Sequence, residues 1–169
     1  MNFKKGNKVF YPSHGAGWVE GEKEIVFGGE KKKYLEFSFV NNQISVSTPI
    51  EKLEELSIRE VTPSRKLVKT LKNLSKVIKK KPKDDSYSER IEDIKETFDG
   101  GTIEEIISTL RQCYYIKEER EKEKRTIPVQ IRKLIKKSID FLVGELAVCK
   151  DIEYEEAEKL FYEYTQIEE

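Results

Sequence analysis

Through the first third of the chain, hydrophobic and polar residues alternate with the two-residue period of half-buried β-strands. The alternation is clearest in the segments Tyr34–Val40 and Ile44–Val46. The pairs Gly28–Gly29 and Asn41–Asn42 separate such segments and suit tight turns that need a positive φ. About four or five short strands fit into this third. The pattern predicts a small antiparallel β-barrel of the SH3 or Tudor kind, because closure removes exposed strand edges.

Beyond residue 60 the hydrophobic positions recur with the 3.6-residue period of an amphipathic helix. The first such stripe predicts one helix, which Pro82 helps to end. Its members are Leu67, Val68, Leu71, Leu74, Val77 and Ile78.

Two capping-box patterns predict the starts of the next two helices. Ser86 with Glu89, and Thr102 with Glu105, have the serine or threonine and the glutamate at the required spacing. The helix that starts at Thr102 should continue into the charged segment 116–125.

Pro128 suits the first turn of a further helix, and Asp151 suits the N-cap of a last one. The inward positions predicted for these two helices are Leu134, Ile135, Leu142, Leu146, Tyr154, Ala157, Leu160, Phe161 and Tyr164. The chain is therefore predicted to be an α+β protein of two domains. A small antiparallel β-barrel over residues 1–60 precedes a compact all-α domain of about five helices over residues 64–169.

The charges are balanced in number but not in position. Lys+Arg and Asp+Glu number 32 each, yet no acidic residue occurs from Val61 to Lys83. A second basic cluster at helical spacing consists of Arg132, Lys133, Lys136 and Lys137. A basic helical face gains affinity for phosphates by counterion release, without reading base sequence. Two alternatives stay open: such faces are solvated or paired with the acidic helices, or the first helix lies on a membrane surface.

The single histidine, His14, lies in the segment Pro12–Gly15 between predicted strands. Nucleophilic catalysis would require a serine or cysteine beside it, and both Cys113 and Cys149 lie on distant apolar stripes. The pattern favours a turn residue with a hydrogen-bonding ring, with a catalytic role as the alternative. Trp18, the only tryptophan, is interpreted as a barrel-wall residue, or alternatively as a stacking surface for a partner.

Several functional classes lack their sequence motifs. The chain has no GxxxxGK[ST] or GxGxxG motif and no cluster of Cys and His residues at zinc-ligand spacing. We therefore expect no catalytic residue, no metal site, no cofactor and no small-molecule ligand. The chain shows neither a signal peptide nor a membrane-spanning run. A cytoplasmic protein without a membrane partner is expected, with free thiols at Cys113 and Cys149.

Three segments resemble the CarD/CdnL family of bacterial transcription regulators. They are Gly6–Gly17 (GNKVFYPSHGAG), Thr48–Leu53 (TPIEKL) and Leu142–Ala147 (LVGELA), and they occur in the family's order. The resemblance implies a Tudor-like barrel that adds a strand to the β subunit of RNA polymerase. It also implies a helical domain that contacts promoter DNA at the upstream edge of the melted region. That contact is made in the minor groove, without base-specific readout, and stabilises the open complex.

The resemblance also implies which residues make these contacts. For polymerase they are Ile25, Val46, Ser47 and Pro49; for DNA they are Tyr87 and Arg90. The basic cluster of Arg132, Lys133, Lys136 and Lys137 comes from the charge pattern, and we hypothesise that it supplies further DNA contacts. Tyr87 stands where the family commonly has a wedge tryptophan, and Glu89 and Glu92 stand where relatives carry basic residues. Ser47 replaces a frequent arginine. These departures keep an adaptor whose helices do not bind DNA as the main alternative, ahead of an enzyme that uses His14.

Overall fold

The computed structural model describes residues 3–42, 44–78, 94, 98 and 101–167. The strands are β1 (Lys8–Tyr11), β2 (Gly15–Phe27), β3 (Glu30–Phe39), β4 (Ser45–Pro49) and β5 (Arg59–Glu60). They form one sheet in the order β4-β3-β2-β1-β5, and every neighbouring pair is antiparallel. The predicted β-rich N-terminal third is therefore confirmed.

The rest of the described chain is helical. The helices are α1 (Ser64–Lys72), α2 (Leu74–Ile78), α3 (Ile103–Lys122), α4 (Val129–Lys150) and α5 (Tyr154–Thr165). An antiparallel sheet followed by a helical part is the α+β class predicted from the change in hydrophobic period. That prediction is confirmed.

One face of the sheet covers a small core of its own. The strand residues in it alternate along the chain, as the two-residue period requires, and are Val9, Tyr11, Val19, Leu35, Phe37 and Phe39. Phe3, Leu53 and Ile58 complete this core from outside the strands. No hydrogen-bonded pairing joins β4 to β5 in the part of the chain described. Side chains from residues 50–58 help the sheet to enclose this core. The described strands do not form a closed ring of backbone hydrogen bonds.

The opposite face of the sheet packs against the helices. Phe10 and Ala16 belong to a second core whose helical members include Phe141, Leu142 and Leu146. Trp18 also packs against this core and is partly buried. Trp18 is thus a structural residue of the sheet, as one of its two interpretations expected, and its ring packs between the two halves of the molecule.

The local signals for turns and helix starts were partly right. Gly28 and Gly29 both take a positive φ between β2 and β3. At the start of α3 the Glu105 N–H donates to Thr102 Oγ1 at 3.2 Å, and the Thr102 N–H donates to a Glu105 carboxylate oxygen at 2.9 Å. The predicted capping box is confirmed, and α3 extends to Lys122 as expected.

Two helix boundaries differ from the prediction. The helix predicted over 67–78 is divided at Asn73, whose side-chain amide donates to the Lys69 carbonyl at 2.9 Å. This bond satisfies a carbonyl at the end of α1 and competes with helix continuation. Asp151 does not cap the last helix. It ends α4 in the left-handed conformation, with φ 56° and ψ 47°. The predicted capping box at Ser86 lies outside the described residues.

Candidate functional site

A buried ion pair joins the sheet to the helices. The Glu145 side chain, on α4, is fully buried. Both of its oxygens accept from the Arg59 guanidinium of β5, at 2.7 and 3.0 Å. The Thr62 N–H donates to the same carboxylate at 2.6 Å. A planar guanidinium suits such a two-bond geometry, and the third donor satisfies the carboxylate further.

Arg59 is held by further contacts on its own side of the pair. Its Nε donates to the Gly101 carbonyl at 2.9 Å, next to the start of α3. Its guanidinium carbon lies 4.3 Å from the centroid of the Phe10 ring. Arg59 therefore ties β5 to both α3 and α4 while covering an aromatic residue of the shared core.

Two of the three segments that carried the family resemblance contribute residues to this joint. Phe10 packs edge-to-face on Phe141 with ring centroids 5.3 Å apart. The Asn41 amide donates to the Asp140 carbonyl at 2.9 Å. A Cβ at Gly144 would lie 2.3 Å from Asn41 Oδ1, so a larger residue there would displace the Asn41 side chain. Residues of both GNKVFYPSHGAG and LVGELA thus belong to the core that packs the sheet against the helices.

Sequence reasoning did not find this joint, although one signal was present. Glu145 is a single carboxylate within the apolar run from Phe141 to Val148. A carboxylate inside such a run is expected to have a buried cationic partner, since an unpaired charge there is very costly. The partner, Arg59, is 86 residues away in the sequence, so spacing alone could not identify it.

His14 is a packing residue of the turn between β1 and β2. Its ring centroid lies 5.0 Å from those of both Tyr11 and Phe39. Its backbone N–H donates to the Tyr11 carbonyl at 2.9 Å. Burial lowers the pKa of the imidazole, and the positive charge of Lys137 lowers it further. Among the described residues, the ring contacts the aromatic side chains of Tyr11 and Phe39, and a hydrogen bond of the ring stays a prediction.

Replacing His14 with glutamine should leave the fold intact and reduce its sensitivity to acid. Because the pKa of His14 is lowered below its ordinary 6.5 in the folded protein, the unfolded chain binds this proton more readily. His14 therefore makes its full contribution to the free energy of unfolding when the pH is above its ordinary pKa. This contribution is lost as the pH falls through the lowered pKa of the folded protein. Chemical denaturation at pH 7 and pH 5 should show a smaller loss for His14→Gln than for the wild type. Parallel losses would contradict the assignment.

The thiols show no sign of nucleophilic character. Burial raises the pKa of Cys113 to about 12 and also raises the pKa of Cys149. Both thiols are free, as the sequence predicted. Among the described residues, no group of three or more His, Cys, Asp or Glu side chains could hold a metal ion.

Three of the four residues expected to bind polymerase lie on β4, which is an edge strand. Val46 and Pro49 are half-buried and Ser47 is exposed. Pro49 pairs with Tyr34, and because proline has no N–H this must be a pair whose polar groups point away from the partner strand. The alternation then gives Ser47, paired with Glu36, an N–H and a C=O that point outward. Ser45 has the same orientation.

The position of Ile25 differs from the expectation that all four polymerase-binding residues lie on one edge of the barrel. It lies on β2, paired with Lys32, and β3 separates it from β4. The hairpin of β2 and β3 extends beyond Pro49, the last residue of β4 that pairs with β3. Ile25 is therefore not part of the β4 edge, and a strand added there could not contact all four residues through the same backbone row.

The four basic residues predicted at 132–137 form an exposed face on the N-terminal half of α4. This basic face consists of Arg132, Lys133, Lys136 and Lys137, all exposed. The Lys137 ammonium lies 4.6 Å from the Phe98 ring centroid and 5.3 Å from that of Phe141. The face thus borders the joint between sheet and helices. Tyr87 and Arg90 lie outside the described residues.

Comparison with known proteins identifies the two halves. Residues 3–62 match the model of the CarD-like/TRCF RID domain, and residues 66–162 match the CarD C-terminal domain. The chain belongs to the CarD family. Within a CarD-family protein, the Arg59–Glu145 pair therefore connects the RID domain to the C-terminal domain.

A curated relative points to the same process as the domain matches. The "Putative transcription factor YdeB" of Bacillus subtilis (strain 168) is 26% identical over 152 residues, which cover 89% of this chain and 94% of the relative. Together with both CarD domains, this similarity supports a transcription regulator. The RID domain implies an interaction with RNA polymerase. No helix in the described part of this CarD-family protein has the length and apolar character needed to cross a membrane.

Proposed function

We propose that this CarD-family protein is a non-enzymatic transcription regulator that bridges RNA polymerase and promoter DNA. Its RID domain binds the polymerase β subunit by strand addition at β4, and the basic face of α4 contacts the DNA backbone without base-specific readout. The bridge stabilises the open complex. One observation carries the proposal. The RID domain has an edge strand whose outer side is unpaired, the helical domain has an exposed basic face, and a buried ion pair joins the two domains.

Strand addition follows from the backbone of β4. An edge strand with outward N–H and C=O groups pairs readily with another chain. Ser45 and Ser47 provide both groups, and Pro49 provides a carbonyl without a donor. The exposed side chains on this edge are small, so a partner strand can approach the backbone closely.

Replacing Ser47 with proline should weaken polymerase binding about tenfold or more, the equivalent of losing one to two backbone hydrogen bonds. Proline removes the outward N–H but leaves the inward ladder to β3 intact, because Ser47 is in phase with Pro49. The full-length protein would be titrated against purified polymerase by surface plasmon resonance. Ser47→Ala is the control, since it removes only the hydroxyl and should bind like the wild type. Equal affinities for Ser47→Pro and Ser47→Ala, with unchanged melting temperatures, would exclude the β4 edge as the docking site.

DNA binding is proposed for the basic face because its four cations are exposed and lie close together on the N-terminal half of α4. Two lysines of α1, in contrast, make contacts within the helical domain. Lys66 is paired with Glu104 at 2.7 Å, and the Lys72 ammonium lies 5.2 Å from the Tyr164 ring centroid. A face of exposed, clustered cations gains affinity from counterion release on meeting phosphates.

Reversing the charges of Lys133, Lys136 and Lys137 to glutamate should weaken binding to forked promoter DNA and flatten its salt dependence. The slope of log K against log salt should fall by up to about 0.9 for each lysine that contacts a phosphate. Fluorescence anisotropy at several salt concentrations measures both quantities. The control reverses Lys5, Lys31 and Lys52, which are exposed on the RID domain and change the net charge equally. If both triple variants lose the same affinity, only overall charge matters and the basic face is not the DNA site.

The contacts that Lys66 and Lys72 of α1 make within the protein favour a second candidate function. In it, the RID domain binds polymerase and the helices contact protein only. This adaptor would bind polymerase normally but show no salt-dependent affinity for DNA, so the same titrations distinguish the two functions.

A further inference from the structure

A groove of about 580 Å³ opens between α3, α4 and α5. Its apolar lining includes Ile135 and Ile139 of α4, and its aromatic lining consists of Tyr114 of α3 and Tyr162 of α5. All four side chains are half-buried, and the Lys117 ammonium lies over the Tyr114 ring, 5.6 Å from its centroid. The volume lies within the range of about 300–1,000 Å³ typical of ligand pockets.

The groove has cations at one end and carboxylates at the other. Arg132, Lys136 and Asp140 follow one another at four-residue steps along α4, so they form a single row on that helix. Lys117 adds a third cation from α3, and Glu158 adds a second carboxylate from α5. The Asp140 carboxylate also accepts from the Tyr154 hydroxyl at 3.1 Å, which holds it in place.

This division of charge selects a specific ligand chemistry. A ligand that fits must have a flat apolar body, an anionic group at one end and hydrogen-bond donors at the other. A nucleobase attached to its phosphate has all three features. Base faces stack on aromatic side chains, and carboxylates accept from the amino groups of cytosine and adenine.

We propose that the groove receives one unstacked nucleobase from the melted promoter strand. This inference rests on the DNA contact proposed above and extends it, because Arg132 and Lys136 belong both to the basic face and to the groove lining. A strand whose phosphates lie along the basic face can therefore place a neighbouring base in the groove, against its aromatic lining.

The first test compares two DNA probes with the full-length protein. One is a fully paired duplex, and the other has the same sequence with a short bubble that contains 2-aminopurine as an adenine analogue. The wild type should bind the bubble probe about tenfold more tightly, which corresponds to stacking one base. Binding should also quench the 2-aminopurine fluorescence, because the base stacks on tyrosine.

Matched substitutions at Tyr114 identify the groove as the cause. Tyr114→Phe retains the flat ring and should behave like the wild type. Tyr114→Leu retains apolar volume but lacks a stacking face, so it should lose the bubble preference and the quenching while binding the duplex unchanged. Circular dichroism and melting temperatures establish that both variants are folded.

The remaining outcomes separate this inference from the proposed function. If the wild type binds duplex and bubble equally, or if Tyr114→Leu retains the preference, the base-binding inference is wrong and the DNA contact stands. If neither probe binds, both are wrong. Competition by free deoxyadenosine monophosphate at concentrations below those of the DNA would assign the groove to a free nucleotide and overturn capture of a strand.

Discussion

Replacing Glu145 with alanine should lower the free energy of unfolding by about 3–5 kcal/mol, the range for removing one partner of a buried ion pair. The substitution leaves the Arg59 guanidinium without its carboxylate and the Thr62 N–H without its acceptor. It also opens a cavity on α4 at the joint. Urea denaturation followed by far-ultraviolet circular dichroism measures the change.

The matched control is Glu104→Ala. Glu104 is also a carboxylate of the helical domain in an ion pair, with Lys66, but its side chain is 67% exposed. An exposed pair contributes about 0–1 kcal/mol, so this variant should be close to the wild type. Similar destabilisation by Glu104→Ala and Glu145→Ala would show that the buried joint has no special role.

A double substitution separates the energy of the pair from the cost of an unpaired charge. Arg59→Met combined with Glu145→Met should recover much of the stability that Glu145→Ala loses, because neither charge remains buried alone. Its expected defect is in the geometry between the domains. Polymerase binding and DNA binding should each survive, whereas stabilisation of the open complex should fall, since a bridge needs both contacts in a fixed relation.

The sequence predicted the secondary structure best where one local rule dominated. The alternation from Tyr34 to Val40 follows from a strand with one buried face, and the Thr102–Glu105 capping box depends on residues three apart. The break at Asn73 was missed because the hydrophobic stripe continues through it, and the competing side-chain bond to Lys69 leaves no trace in that stripe. Local patterns therefore predicted which helices and strands form more accurately than the residues at which they begin and end.

The candidate surfaces were predictable only in part, for a different reason. The basic face of α4 depends on helical spacing alone, and all four of its residues are exposed as expected. The edge strand required a pairing order, which no pattern in one strand determines, and that order places Ile25 on β2, away from the β4 edge. The groove requires three helices to converge, so no pattern along a single helix predicts that Tyr114 and Tyr162 line one groove.

Replacing Gly17 with alanine should prevent normal folding, with a loss of at least about 3 kcal/mol, beyond the usual cost of overpacking. Gly17 pairs with Phe39 in the β2–β3 ladder, and an added Cβ would lie 1.8 Å from the Ser38 carbonyl oxygen. The obstacle is backbone, so no side-chain rotation can relieve it. Gly17 is the last residue of the GNKVFYPSHGAG motif, and the close approach of β2 and β3 explains why glycine occupies this position.

The control is Gly21→Ala, four residues further along β2. A Cβ at Gly21 would have no atom within 4 Å, and the residue lies at the register shift that follows Val19. This variant should fold and melt close to the wild type. Soluble yield, far-ultraviolet circular dichroism and urea denaturation compare the two. A Gly17→Ala protein as stable as Gly21→Ala would mean that β2 and β3 do not approach so closely, and the pairing between them would have to be revised.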